Sequence, residues 1–331
     1  DFLWGNNFGQ MQFHFQSSVP IGIRRSDSII LNPKPDTTLE EGDEAIVIAE
    51  DDSTIHFFEQ PVVEPTELSY SENKVLPNIE KYLIFGWNRK LPILVDEYSG
   101  YIHEGSVIDI IVPRKSEAME RIFQQLSSKH PKVRMTLQQV NPSMSNFPAK
   151  LYPHRYDNVI IMAGENGTTE EIDSETISML LKFRHFFREV RNKGEEVHTQ
   201  LITEVMDSAN AQIIQQSGVK DFLVSNQFVS KMMAQISEDP DVNLVYEDLF
   251  REDGSEIYLK PAWLYFDNLP MEVSFADIML AAQKREEVCF GLKIRSEEYE
   301  PKFGIHIIPK KDDVFTLEEG DTLIVLAEDE Y

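Results

Sequence analysis

The residues best equipped for chemistry in this chain are carboxylates. Glu165, Asp173, Glu175, Glu204 and Asp207 stand in three short stretches, "GENG", "DSETISMLL" and "TEVMD", between positions 164 and 207. A hard cation such as Ca2+ takes about six to eight oxygen ligands, which separate loops supply together where the fold makes them neighbours. These five acids are therefore a candidate regulatory cation site, with Ca2+ the expected ion, built from discontinuous segments because no EF-hand loop is present. A plainer reading stands beside it: Asp173 and Glu175 complement the dipole of a helix start, and Glu165 is a solvated loop residue. A second group, Gly86-Trp87-Asn88-Arg89-Lys90, follows an apolar strand, where a dinucleotide's phosphates would meet glycines and a helix N-terminus. Gly86, Asn88 and Arg89 are the candidate cofactor-binding residues there, and Arg89 and Lys90 could hold an anion. Gly-x-Gly-x-x-Gly is absent, however. Trp87 and Arg89 put bulk where the backbone would approach phosphate, and the second strand ends at Val112-Pro113 instead of a ribose-binding acid. No nucleotide is expected.

Other catalytic signatures are missing as well. There is no Gly-x-Ser-x-Gly elbow and no P-loop, and the 8 histidines lack zinc-ligand spacing, so the chain does not read as an enzyme. Cys289, the single cysteine, lies in the strand-like run "EVCFGLKI" and reads as an inert buried thiol in a reducing setting. With 57 acidic against 31 basic residues the net charge is −26, which repels nucleic acid and anionic lipid. The acidic surface attracts divalent cations or simply keeps the protein soluble. The longest apolar runs, "IVIA" and "VIIMA", fall far short of the roughly 20 residues that cross a bilayer. "DFLWGNNFGQ" has no signal-peptide pattern.

The elements that must position these residues alternate in type. "KYLIF", "VIDIIVP", "RMTLQQV", "YDNVIIMAG", "TQLITEV" and "DFLVSN" read as strands. Between them lie helices at "LPILVDEYSGYI", "SEAMERIFQQLSS" (opened by Ser116), "DSETISMLLKFRHFFREV" (capped by Asp173 or Ser174) and "SANAQIIQQSG". Such alternation implies a Rossmann-like, doubly wound parallel sheet over residues 80–225, with the carboxylates gathered at its carboxyl edge. Residues 226–260 read as a helix-turn-helix crossover broken at Asp239-Pro240. Its first helix carries Phe228, Val229, Met232, Met233 and Ile236 as a wide apolar stripe, suited to core packing or to a subunit contact.

Flanking this lobe, the chain writes nearly the same 14 residues twice: "TLEEGDEAIVIAED" at 38–51 and "TLEEGDTLIVLAED" at 316–329. Upstream of each lie a helix near a Phe, a strand, and a strand ending in proline. One small α+β module therefore occurs at 1–58 and again at 261–331, with 59–79 as a Pro-rich linker. So small a module needs a partner to complete its core. Only 37 residues precede the first copy of the repeat, so its own sheet lobe is expected upstream of Asp1, or absent.

The order of a sheet lobe with a degenerate nucleotide loop, a crossover and a β-rich lobe ending in "L-x-E-G-D-x-x-x-V-x-A" resembles the RCK domain, the regulator of potassium conductance. More narrowly, "FGW-x-R" at 85–89, "ILNP" with "EEGDEAIVIAEDDST" at 30–54, "SNQFVS" with "EDLFREDG" at 225–254 and "PAWLY" at 261–265 resemble the Castor and Pollux ion channels. The resemblance implies two RCK C-lobes, one with its N-lobe at 80–225. It also implies a cytoplasmic gating ring in which a ligand, Ca2+ in plant members, reshapes a homotetrameric ring of tandem domains, or a dimer of dimers, beneath the pore of the same polypeptide. This part would be soluble at the cytoplasmic face of a membrane, and "TEVMD" and "DSETISMLL" would contribute its regulatory acids. Two alternatives stay open: an NAD(P)-dependent oxidoreductase, and a soluble cation sensor without a channel.

Overall fold

The computed structural model describes residues 4–66, 68–71, 73–74, 78–144, 147–207, 222–251, 254–298, 300 and 302–328. They divide into two compact units, residues 1–76 with 240–331, and residues 77–239.

The first unit opens with the short helix α1 (Phe8–Met11), whose N-cap Asn7 accepts from the Gln10 backbone while the Gln10 side chain returns the bond. The expected helix stops early, passing into a 3₁₀ turn at Gln12–His14. Strands β1 (Ser18–Arg25), β2 (Ser28–Leu31) and β3 (Glu44–Ala49) then form an antiparallel sheet in the order β2-β1-β3.

In the second unit the six expected strands all form: β4 (Lys81–Phe85), β5 (Val107–Val112), β6 (Arg134–Gln139), β7 (Asn158–Ile161), β8 (Gln200–Val205) and β9 (Phe222–Val224). Every pairing is parallel and the order is β6-β5-β4-β7-β8-β9, so the chain order reverses beside β4, as in a doubly wound fold. Helices α2 (Leu91–Tyr101) and α3 (Glu117–Lys129) cover one face, through a core that includes Ile84, Ile108, Ile110, Leu91, Val95 and Leu126. The short α4 (Phe147–Leu151) and the long α5 (Thr169–Asn192) cover the other, where Phe147, Phe183 and Phe187 meet Phe85 and Ile161. Ser116 caps α3 as expected. Asp173 and Ser174 do not cap α5. That helix starts a turn earlier, because Thr168 accepts from the Glu171 backbone and the Glu171 carboxylate accepts from the Thr168 N–H. The helix expected at 208–218 lies outside the described residues.

The crossover is helical as expected. Helix α6 (Ser225–Glu238) belongs to the second unit, and α7 (Val242–Leu249) to the first. Among the described residues, no helix is long and apolar enough to cross a membrane.

Back in the first unit, β10 (Glu256–Pro261), β12 (Val288–Lys293), β13 (Ile305–Ile307) and β15 (Thr322–Ala327) form a sheet in the order β10-β15-β12-β13. Strands β11 (Met271–Ser274) and β14 (Val314–Leu317) pair separately, and helix α8 (Phe275–Gln283) is buried along most of its length. The partner that each module needs is the other copy. Phe8, Met11, Val19 and Ile23 of the first share one core with Phe275, Ile278, Leu292 and Val325 of the second. Gln283 Nε2 donates to Gly9 O at 3.0 Å, and Asn32 Nδ2 donates to Glu286 O at 3.0 Å across the pair.

The repeat repeats in space. Gly22 faces Ile46 and Gly291 faces Ile324, each beside a register shift that marks a bulge. A Cβ at Gly22 would lie 2.6 Å from Ile30 O, and one at Gly291 2.6 Å from His306 O, so only glycine fits at either. The twice-written "EEGD" is a turn device. Asp43 accepts from the Glu40 N–H at 2.8 Å, and Asp321 from the Glu318 N–H at 2.7 Å. In the first copy Arg25 also clasps Asp43, and that hydrogen bond holds the carboxyl below its usual range. Cys289 is buried as expected, and burial pushes its thiol up to about 12.

Candidate ligand site at the carboxyl edge of the parallel sheet

Strand β4 ends at the point where the sheet reverses, and the loop that follows is the place for a ligand. Gly86 has φ 106°, and a Cβ there would stand 3.0 Å from Met162 O. The glycine thus admits the backbone at the end of β7, whereas a nucleotide loop uses its glycines to approach phosphate. Trp87 packs into the core on the α2 side of the sheet.

Asn88 is buried, and its side chain is fully employed. Nδ2 donates to Ala163 O at 2.9 Å and to Glu204 Oε2 at 3.1 Å, and Oδ1 accepts from the Lys90 N–H at 2.9 Å. Glu204 comes from β8 with a side chain 12% exposed. One oxygen accepts from the Ala163 N–H at 3.1 Å; the other accepts from the Lys90 ammonium and from Ser225 Oγ at 2.7 Å. Burial by itself would push the Glu204 carboxyl up. The hydrogen bonds from Lys90 and Ser225, the Lys90 charge and the Ala163 N–H outweigh it and hold the group below the usual carboxylate range. The anion that Lys90 holds, beside the start of α2, is therefore one of the protein's own carboxylates. Arg89 points to solvent with its side chain 95% exposed, and its N–H donates to Glu165 at 2.6 Å.

Asp173 lies one turn inside α5 and is fully buried. Its two oxygens accept from the Met206 N–H at 2.8 Å and the Asp207 N–H at 3.0 Å, tying α5 to the segment after β8. The earlier helix start moves Asp173 from a capping place to this one. Glu175, two residues on, is exposed. The structure thus joins Asn88, Glu204 and Lys90 in one network, sets Glu165 on the Arg89 backbone, and joins Asp173 to Asp207. Among the described residues, no group of three or more His, Cys, Asp or Glu is placed to hold a metal ion. N–H and ammonium donors face Glu204 and Asp173, and a cation binding to either would have to move them aside. The sequence reading missed Ser225 and the Lys90 partnership with Glu204. An unpaired lysine beside a degenerate glycine loop was the available signal, since it needs an anion from somewhere.

Comparison with known proteins places the chain. Residues 2–64 match the family model described as "Castor and Pollux, part of voltage-gated ion channel". The chain is 26% identical over 335 residues to the probable ion channel POLLUX of Oryza sativa subsp. japonica, covering 89% of this chain and 34% of that protein. It is 26% identical over 332 residues to the ion channel CASTOR of Lotus japonicus, covering 89% of this chain and 38% of the relative. The chain therefore spans little more than a third of the length of the curated relatives it matches. With the first copy of the repeated module inside the matched model and the doubly wound sheet inside the longer alignments, this chain is similar to the Castor and Pollux ion channels over most of its length.

Proposed function

We propose that this chain is an assembly and regulatory module of a cation channel, the part that forms a gating ring at the cytoplasmic face of a membrane. In this reading β4 to β9, the crossover and the second small module make one RCK domain, and the first small module is the C-lobe of another. The observation that carries it is the open apolar face of α6, in a chain similar to ion channels. No residue of this helix is buried, and Phe228, Val229 and Met233 are 46%, 53% and 66% exposed. So wide an apolar stripe on a 14-residue helix suits a contact between subunits, a dimer of dimers or a tetrameric ring. The loop after β4, filled by Trp87 and by the Lys90 contact with Glu204, argues against nicotinamide chemistry.

Sedimentation velocity tests the reading. A dimer or tetramer is expected at about 50 μM, and Phe228→Lys with Met233→Lys should convert it to monomer without changing circular dichroism, since neither residue serves the core. A wild-type monomer at that concentration would remove the assembly role. Calcium is proposed as the regulator, with the carboxylates at the sheet edge, Asp207 among them, as its candidate ligands. Its test is separate: a calcium-dependent rise in melting temperature that Asp207→Ala abolishes would place binding at the sheet edge. No rise would remove calcium and leave assembly standing.

A further inference from the structure

An asparagine loses its side-chain amide when the next backbone nitrogen attacks it, and the fold decides which asparagines that nitrogen can reach. Several in this chain are held. The side chain of Asn88 is spent on Ala163, Glu204 and Lys90. Prolines, which have no N–H, follow Asn32 and Asn141. After Asn192 and Asn243 the next amide is engaged, the Lys193 N–H donating to Val190 O at 3.0 Å and the Leu244 N–H to Asp241 O at 3.0 Å. Asn166 differs on every count. It is the one asparagine of the chain followed by glycine, in "GENG", and residues 164–167, between β7 and α5, are all exposed. Among the described residues, neither its side chain nor the Gly167 N–H makes a hydrogen bond. Gly167 has φ 123°, which glycine adopts without strain, and it carries no Cβ to stand between its nitrogen and the amide that nitrogen would attack.

We propose that Asn166-Gly167 is a self-modification site, where the chain converts its own amide to a carboxylate as it ages. Gly167 N gives up its proton to solvent and bonds to Asn166 Cγ. Asn166 Nδ2 takes up a proton and leaves as ammonia, and a cyclic succinimide remains. Water then opens the ring. Breaking the new bond between Gly167 N and Cγ leaves aspartate. Breaking the original peptide bond leaves isoaspartate, with the main chain running through Cβ and Cγ. Water is the co-reactant and ammonia the released product, so the reaction needs no partner. Either form adds a negative charge beside Glu165, which accepts from the Arg89 N–H, and two residues before Thr168, which caps α5. Isoaspartate also lengthens the main chain by one carbon where there is little room. A Cβ on Gly167 would meet Glu171 Oε2 at 3.0 Å, and that oxygen accepts from the Thr168 N–H at 2.8 Å. The isoaspartyl form should therefore unfasten the first turn of α5, whereas the aspartyl form keeps its cap.

The full chain is kept in buffer near neutrality over days, digested at low pH, and analysed by mass spectrometry with electron-transfer fragmentation, which separates aspartate from isoaspartate. Asn268, also exposed but followed by the bulky Leu269, is the comparison within the same molecule. Asn166 should convert roughly tenfold faster than Asn268, and Gly167→Ala should slow it by about the same factor. Conversion in the folded chain should stay within about threefold of that in urea, because the fold leaves both reacting groups free. Exchange of the Glu171 amide should be roughly tenfold faster in the isoaspartyl fraction and unchanged in Asn166→Asp. An Asn166 as inert as Asn268, or one that converts only in urea, would overturn the proposal. Unchanged Glu171 exchange in the isoaspartyl fraction would overturn the effect on α5.

Discussion

Replacing Glu204 by alanine tests whether the loop after β4 is closed by an internal anion. The side chain is only 12% exposed and accepts from Asn88, Ala163, Lys90 and Ser225. These losses are unequal. Asn88 keeps Ala163 O at 2.9 Å, the Ser225 hydroxyl can turn, and the Lys90 side chain is 57% exposed and returns to water. With that solvent screening the ion pair counts for no more than about 1 kcal/mol. The Ala163 N–H is left inside without a partner, at about 1–3 kcal/mol. Glu204→Ala should therefore destabilise the 77–239 unit by about 2–4 kcal/mol, and Glu204→Gln, which keeps an acceptor oxygen but loses the charge, by about 1 kcal/mol. Trp87 is the tryptophan of this unit, Trp4 and Trp263 lying in the other, so urea unfolding by fluorescence in a Trp4→Phe, Trp263→Phe background reports it alone. Glu204 titrates below its ordinary 4.5 when folded, so the unfolded chain takes up its proton first as the pH falls. The wild-type advantage over Glu204→Gln should be full above about pH 5 and vanish as the pH drops through the folded value. An alanine variant within about 0.5 kcal/mol of wild type, or glutamine as costly as alanine, would refute the reasoning.

Other outcomes follow from single residues. Lys311 is fully buried, donates to Ser18 O at 2.8 Å, and is pushed by burial down to about 7. The folded protein therefore resists its protonation below neutrality, and the penalty lifts as the pH rises from 7 toward the ordinary 10.5. Lys311→Met should raise the melting temperature at pH 6, and the gain should shrink by pH 10. Gly86→Ala, with φ 106° and a Cβ 3.0 Å from Met162 O, should cost about 1–3 kcal/mol by urea titration. Cys289, buried with its thiol at about 12, should resist iodoacetamide at pH 8 until the protein is unfolded, as peptide mass mapping would show.

Strand and helix identity along the chain was legible because it rests on local periodicity. The run "VIDIIV" is apolar on both faces and lies inside a parallel sheet, and "SEAMERIFQQLSS" opens on a serine that does cap it. The start of α5 was not, because two cap candidates compete within a few residues and the reciprocal bond of Thr168 with Glu171 prevails over Asp173. Once inside the helix, Asp173 turned from a dipole complement into an acceptor for the Met206 and Asp207 N–H groups.

The amino-acid sequence by itself determined the doubly wound plan, the crossover, and the presence of one module twice, down to the aspartates of the turns. These depend on residues within a few positions of one another. Only the tertiary structure decided that the two modules share one core, that Glu204 belongs to Lys90, and that β3, among the described residues, lacks the neighbour β15 has. Each of those joins groups more than 100 residues apart, or compares edges that differ only in what lies beside them. Local patterning carries no record of which donor reaches a buried carboxylate, because that depends on which strands the chain has set side by side.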